Sequence, residues 1–333
     1  MPNEPAIVVE NLARSYSVAV KSGAGLRSAV RGLFHRERKL VRAVDGISFT
    51  VAPGEMVAFL CPNGAGKTTT LKMLAGLIYP TTGTATVLGH VPWERTDTFR
   101  RQYALVMGQK NQLWWDLPAR ESFRLHKEIY SIPADRFKQT ESDLVALLSL
   151  GEVIDQPVRE LSLGERMKLE LVAALLHDPQ VLFLDEPTIG LDVVAQAQLR
   201  DFLIDYNRRR GVTAILTSHY MKDVESLCER AIVVNHGKLV CDDSLANLSR
   251  RFGTHKLVTI QFAEPLPPGL ERFGEIVETR GPTAKLRVER GRVPAVLSEL
   301  LSTRQIADVT VDEVPLEEVL TEVFRLGPAE AAA

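Results

Sequence analysis

Cys61, Pro62, Asn63, Gly64, Ala65, Gly66, Lys67, Thr68 and Thr69 form a glycine-rich run between an apolar stretch, MVAFL, and a helical pattern. A turn of this kind, from strand to helix, aims successive backbone N–H groups at one point. The positive end of the helix dipole adds to them. Polyphosphate is the ligand that such a cradle suits. Lys67 would reach its β- and γ-phosphates, and the Thr68 hydroxyl would ligate Mg2+. The first position, which the pattern normally fills with glycine, is Cys61. A Cβ is tolerable there if φ stays negative, and the phosphate-facing Gly64 and Gly66 are present. The Cys61 thiol has two readings: a thiolate favoured by Lys67 and the helix start, or a buried, inert thiol.

A second run, VLFLDEPT, puts Asp185 and Glu186 at the end of an apolar strand. Ligands of open α/β sheets sit at that edge. Asp185 is expected to hold Mg2+ through water, and Glu186 to polarise an attacking water as general base. The alternative for two adjacent carboxylates is a solvated strand end.

These residues need a scaffold that brings strand ends together. Strand-like runs at 47–51, 56–60, 103–107, 181–184, 213–217 and 231–234 alternate with helical patterns at 68–75, 193–209 and 221–228. The nearly all-apolar VLFL and AILT suit parallel strands covered on both faces, and the alternation implies a layered α/β core. From about 116 to 176 no strand pattern appears, which marks an inserted helical subdomain. After Gly253 come three short strand patterns, a helix, a strand and a helix, read as a small α+β domain over 254–326. A tail, 327–333, is expected to fray.

Composition narrows the class. The 333 residues are 45% hydrophobic and 25% charged with net charge -2, as in an ordinary globular protein and without the basic surplus of a nucleic-acid binder. Three cysteines give no disulfide framework. No apolar run reaches the ~18 residues that span a bilayer. The start, MPNEPAIVVE, lacks the basic end of a secretory signal, so any work at a membrane is expected from the cytoplasmic side.

A more specific feature is LSLGE at 161–165, twenty residues before Asp185. It resembles the signature motif of ABC ATPases, usually LSGGQ, with Leu163 and Glu165 as departures. The resemblance implies that Ser162, Gly164 and Glu165 meet ATP held by a second subunit, so that two chains sandwich two nucleotides head to tail. Other marks follow in order. Gln109, in ALVMGQ, is similar to the family glutamine that contacts Mg2+ and senses the transmembrane partner. IGLD, ending at Asp192, resembles the loop that crosses the dimer interface. His219, in ILTSHYMKDVE, resembles the histidine that bonds the γ-phosphate, and Tyr16 the aromatic that stacks on adenine. The implied fold is α/β: a P-loop ABC ATPase core over 1–250 with an inserted helical subdomain, plus the small C-terminal α+β domain. The implied activity is ATP hydrolysis with Mg2+, coupled to transport through separate transmembrane permease subunits. The second ATPase subunit is another copy or a paralogue. LWWDLP, LSLGE and a basic insertion over 17–42 together resemble ATPases of export permeases. The implied location is the cytoplasmic face of the cell membrane. Rival functions are a soluble ABC ATPase acting on ribosomes or DNA, and a regulatory nucleotide-binding module.

Two regions carry less specific signals. Residues 21–42 hold seven Lys/Arg against one acid, and Leu26, Val30, Leu33 and Phe34 share one helical face. Such a helix suits an anionic membrane or a permease, or packs on its own domain. Trp114 and Trp115, just past Gln109, suit either an interface anchor or the core of the helical subdomain.

Overall fold

A computed structural model of the chain describes residues 4–19, 38–62, 64–108 and 110–325. Asn63, Gln109, the stretch with Leu26, Val30, Leu33 and Phe34, and the tail 327–333 lie outside the described residues. The chain divides into two compact units, the first ending at Asp242 and the second beginning at Asp243. No helix among the described residues is long and apolar enough to cross a membrane.

In chain order the first unit runs β1 (Ile7–Ala19), β2 (Arg38–Val51), β3 (Met56–Leu60), α1 (Lys67–Leu74), β4 (Thr82–Val87), α2 (Asp97–Arg100) and β5 (Tyr103–Met107). It continues with α3 (Ala119–Tyr130), α4 (Ala134–Leu147), α5 (Leu163–Leu175), β6 (Val181–Asp185), α6 (Val193–Arg210) and β7 (Thr213–Thr217). It closes with α7 (Met221–Leu227), β8 (Arg230–Asn235) and β9 (Lys238–Ser244). Six strands form one sheet in the order β5-β6-β7-β3-β8-β9. Its central pairs, β6 with β7 and β7 with β3, are parallel. Every residue of β6 and of β7 is buried, which is why VLFL and AILT carry no polar alternation.

Strand β1 lies between β2 and β4 in a second, antiparallel sheet. Its pairing with β2 extends from Ile7 opposite Val51 to Ala19 opposite Arg38. Residues 17–19 and 38–42, the two ends of the basic insertion, are therefore strand and not helix, with Lys39 and Arg42 on β2. The two sheets and α1 close over a core that includes Ile7, Phe49, Phe59, Leu71, Leu74 and Phe183. Between β5 and β6 the described residues form no strand beyond an isolated bridge of Pro118 with Pro157, so α3, α4 and α5 make up the inserted helical subdomain. Each of α3 and α4 starts behind a proline, Pro118 and Pro133, whose fixed φ suits a helix entry.

The second unit contains α8 (Leu245–Phe252), β10 (His255–Phe262), β11 (Glu275–Arg280), β12 (Thr283–Glu289), α9 (Val293–Thr303), β13 (Ile306–Glu313) and α10 (Leu316–Arg325). Its sheet, ordered β11-β12-β10-β13, is antiparallel throughout. Alternate residues Val258, Ile260 and Phe262 with Ala284, Leu286 and Val288 face Val296 and Leu300 of α9 in a separate core. This is a small α+β fold.

Candidate active site

The ends of β6, β7 and β3 lie side by side, so the loops that leave them meet. From β3 the chain turns through Cys61, Pro62, Gly64, Ala65 and Gly66 into α1. The Ala65 N–H donates to the Pro62 carbonyl at 3.1 Å. Gly64 and Gly66 have φ of 78° and 104°, values that suit glycine. A Cβ on Gly66 would stand 2.4 Å from the Ala43 carbonyl oxygen of β2. The second sheet thus fixes the turn by direct backbone contact.

Lys67 opens α1, and its Nζ lies 2.9 Å from His219 Nε2 and 3.6 Å from Glu186 Oε1. His219 Nε2 is in turn 2.9 Å from Glu186 Oε1. One ring nitrogen therefore faces both an ammonium donor and a carboxylate acceptor, and its tautomer decides which it serves. The next residue, Thr68, donates through Oγ1 to Asp185 Oδ2 at 2.8 Å. Thr217, opposite Asp185 in the β6–β7 register, donates to Asp185 Oδ1 at 2.8 Å. The Glu186 N–H donates to Thr217, at 3.0 Å to the carbonyl and 3.1 Å to Oγ1. Glu186 itself has φ 54°, in the left-handed region. A Cβ on Gly108 would meet the Glu186 carbonyl oxygen at 2.2 Å, so a bare backbone is needed there.

A hydroxyl and a carboxylate oxygen 2.8 Å apart are hard donors of the kind that Mg2+ takes. The described residues include no group of three or more His, Cys, Asp or Glu that would cage a metal. Mg2+ usually binds through one or two protein oxygens, with the rest from phosphate and water.

Cys61 is 6% exposed. Burial pushes its thiol up to about 12 despite the neighbouring Lys67. The thiolate reading is corrected: desolvation outweighs the nearby cation, and the thiol is the buried, inert kind. Its φ is not positive, so the Cβ is accommodated.

The signature residues stand apart from this cluster. Ser162 caps α5, and its Oγ accepts from the Glu165 N–H at 3.3 Å. The Glu165 carboxylate returns to the Ser162 N–H at 2.9 Å and takes the Ser162 hydroxyl at 2.7 Å. The hydroxyl and then the N–H of Ser162 hold the Glu165 carboxyl below its usual range. The anion at this helix start is thus the chain's own. Gly164 leaves room for Ala195 of α6, whose Cβ a Gly164 methyl would meet at 3.2 Å. Asp192 caps α6 by accepting from the Ala195 N–H at 2.8 Å. Tyr16 sits in β1 opposite Val41, with the Arg14 guanidinium 4.7 Å from its ring centroid. None of the described hydrogen bonds of Ser162, Glu165 or Asp192 reaches Lys67, Thr68, Asp185, Glu186 or His219.

Sequence reasoning passed over a second layer. Asp223 is fully buried and accepts from Thr188 Oγ1 at 2.5 Å, Ser218 Oγ at 3.1 Å and Arg200 Nη1 at 2.8 Å. It ties the loop after Glu186 to the residue before His219. Removing one partner of such a buried pair typically costs about 3–5 kcal/mol. Trp114 and Trp115 are 49% and 47% exposed, so neither is a core residue.

The ABC transporter family model matches residues 44–189, and the model of the EvrA-like ABC transporter C-terminal domain matches 254–312. The chain is 36% identical over 246 residues to the Nod factor export ATP-binding protein I of Burkholderia pseudomallei, covering 72% of this chain and 79% of that one. The chain belongs to the ABC transporter family. Within the family it is an ATP-binding subunit and an ATPase. It is also 32% identical to ABC transporter A family member 1 of Dictyostelium discoideum over 72% of its own length, a match that spans only 27% of that protein. The structure described as that of an ATP binding subunit of an ABC transporter shares the fold, with a TM-score of 0.61 and 24% identity over 74% of this chain and 93% of that one.

Proposed function

We propose that this ABC ATPase is the motor of an exporter whose channel is a separate polypeptide. What supports the reading most is the convergence of Lys67, Thr68, Asp185, Glu186 and His219 at three adjacent strand ends. Export is favoured by the likeness to a protein named for Nod factor export.

In this reading the turn from Cys61 to Thr69, with Asn63, wraps the phosphates, and Tyr16 stacks on adenine. Lys67 neutralises charge on the β- and γ-phosphates. Thr68 and Asp185, with Gln109, would hold Mg2+, which would offset charge on the transferred phosphoryl group. The Glu186 carboxylate accepts a proton from water as the water oxygen bonds to the γ-phosphorus. The bond from that phosphorus to the β-phosphate oxygen breaks, and ADP leaves with its electron pair. His219 donates to a γ-phosphate oxygen. Ser162, Gly164 and Glu165 contribute from a second subunit, with Asp192 at the seam. Two chains, identical or paralogous, close around two ATP. The exposed Trp114 and Trp115 anchor a permease at the cytoplasmic face of the membrane.

The test is affinity purification from detergent-solubilised membranes, comparing wild type with a Trp114→Ala, Trp115→Ala double variant. Wild type should bring down a polytopic membrane protein, and the variant should lose it while still binding ATP. Truncating an anchor aromatic typically costs about 2 kcal/mol or more, over tenfold in affinity. Ribosomes in place of a membrane protein would overturn the reading.

A further inference from the structure

Glu170 lies two turns into α5, between Leu169 and Leu171, and is 2% exposed. Its sequence neighbours Leu169 and Leu171 are buried and apolar, and one turn earlier the helix carries Arg166. A carboxylate in such a place costs free energy unless donors compensate. Burial pushes the Glu170 carboxyl up, and the backbone N–H groups of Gln112 and Leu113 pull it back. The Gln112 N–H donates to Oε1 and Oε2 at 3.0 and 2.9 Å, and the Leu113 N–H donates to Oε1 at 3.3 Å.

Those amides begin the stretch that carries the two exposed tryptophans, and the stitching continues along it. The Trp114 N–H donates to Ser122 Oγ at 3.0 Å. The Trp115 carbonyl accepts from the Arg159 N–H at 3.0 Å, and the Arg166 guanidinium sits 5.3 Å from the Trp115 ring centroid. Asp116 pairs with Arg159 at 2.9 Å, and the Leu117 carbonyl accepts from the Val158 N–H at 3.1 Å. From 112 to 117 each residue is thus tied to the helical subdomain. Most of the ties go to the segment that leads into α5 or to α5 itself. Ser162 is at the start of that same helix, about 12 Å along the axis from Glu170.

We propose that Glu170 is a positioning residue that locks the tryptophan stretch to the signature helix, so that a permease seated on Trp114 and Trp115 moves Ser162 with it. The proposal rests on the transporter reading above. It gives Glu170 a role in how the partner controls turnover, and none in the chemistry at Glu186.

The test compares wild type with Glu170→Gln, which keeps the shape but turns an amide donor toward backbone donors. Hydrogen exchange on the isolated subunit should show the amides of Gln112 and Leu113 released while those of α5 stay protected. Basal ATPase and the KM for ATP should remain near wild type, and the permease should still co-purify. Stimulation of the ATPase by the bound permease should fall about tenfold, the scale of one charge-assisted hydrogen bond. Arg166→Ala, which removes the cation over Trp115, should lower stimulation in the same direction and serves if Glu170→Gln fails to fold. Full stimulation in either folded variant, or unchanged exchange at Gln112 and Leu113 in Glu170→Gln, would overturn the proposal. A wild-type subunit that captures no membrane protein would instead overturn the transporter reading.

Discussion

His219 Nε2 and Glu186 Oε1 stand 2.9 Å apart, with the Lys67 ammonium within reach of both. A γ-phosphate arriving at Lys67 competes with the Glu186 carboxylate for the same ammonium. Binding therefore draws the ammonium away from its ion pair with the carboxylate. On the function proposed above, the same three side chains serve first as an internal ion cluster and then as binding and catalytic groups.

Glu186→Gln should stop steady-state ATP hydrolysis and leave ATP binding in place, because only the proton acceptor is lost. Lys67→Ala should instead weaken ATP binding itself, since a charge-assisted phosphate contact disappears. Equilibrium binding of a fluorescent ATP analogue and phosphate release, run side by side, separate the two. A Gln variant that turns over at the wild-type rate would remove Glu186 from the mechanism.

Thr217 holds both carboxylate residues, through the side chain of Asp185 and the N–H of Glu186. Thr217→Val keeps the volume and removes the hydroxyl. The expected result is a fall in kcat of about tenfold, the scale of one hydrogen bond to a charged group. The Mg2+ concentration needed for half-maximal rate should rise. A change in kcat with no change in Mg2+ dependence would confine Thr217 to Glu186.

With its thiol raised to about 12, Cys61 is ionised in only about one molecule in ten thousand at pH 8. Iodoacetamide should leave the ATPase of the folded protein intact over times that fully alkylate the denatured chain, and Mg-ATP should change nothing. Cys61→Gly should be active. Rapid, stoichiometric inhibition that ATP prevents would mean that the thiol is open to solvent.

The capping box at α5 carries a pH signature. The Glu165 carboxyl is held below its ordinary 4.5 by Ser162. A depressed carboxyl stabilises the fold above its unfolded pKa, and that contribution is lost as pH falls through the folded one. Wild type should therefore melt above Glu165→Gln near neutral pH, and the gap should close in acid. Differential scanning fluorimetry across about pH 7 to 3.5 reads this directly. A gap independent of pH would mean that the charge of Glu165 contributes nothing.

Much of the sheet was legible because its strands are covered on both faces. The apolar runs at 56–60 and 213–217 coincide with β3 and β7, and 103–107 with β5, whose residues are buried in alternation. Strand β1 was not, since its register shifts after Val9, Leu12 and Arg14 break the two-residue alternation. The start of β2 reads as a charged segment, and only its pairing with β1 makes it a strand. Strands β4 and β9 escaped notice because they are rich in polar residues. Lys67, Asp185, Glu186 and His219 stand out because few other settings combine those residue types with glycine turns and strand ends. Thr217, Glu170 and Asp223 do not: a hydroxyl or a carboxylate within a helix or strand means little until distant donors are brought against it. The Cys61 thiol stayed open between two readings for the opposite reason, since a neighbouring lysine is visible in sequence and the apolar shell around the sulfur is not.

Glu186, the proton acceptor of the proposed mechanism, stands in the left-handed backbone region, where an L-residue with a full side chain is held at a cost of about 1–2 kcal/mol. The protein is therefore less durable than its fold allows at the one residue to which that mechanism gives the proton. Glu186→Gly relieves that conformation, although part of the gain returns to the unfolded chain as glycine freedom. Asn keeps a side chain and tolerates the region better than Glu. Glu186→Asn should thus melt higher than Glu186→Gln while both are inactive. Resistance to heat and turnover would then be set against each other within a single backbone angle, and a screen for thermostability alone would drift toward a dead enzyme.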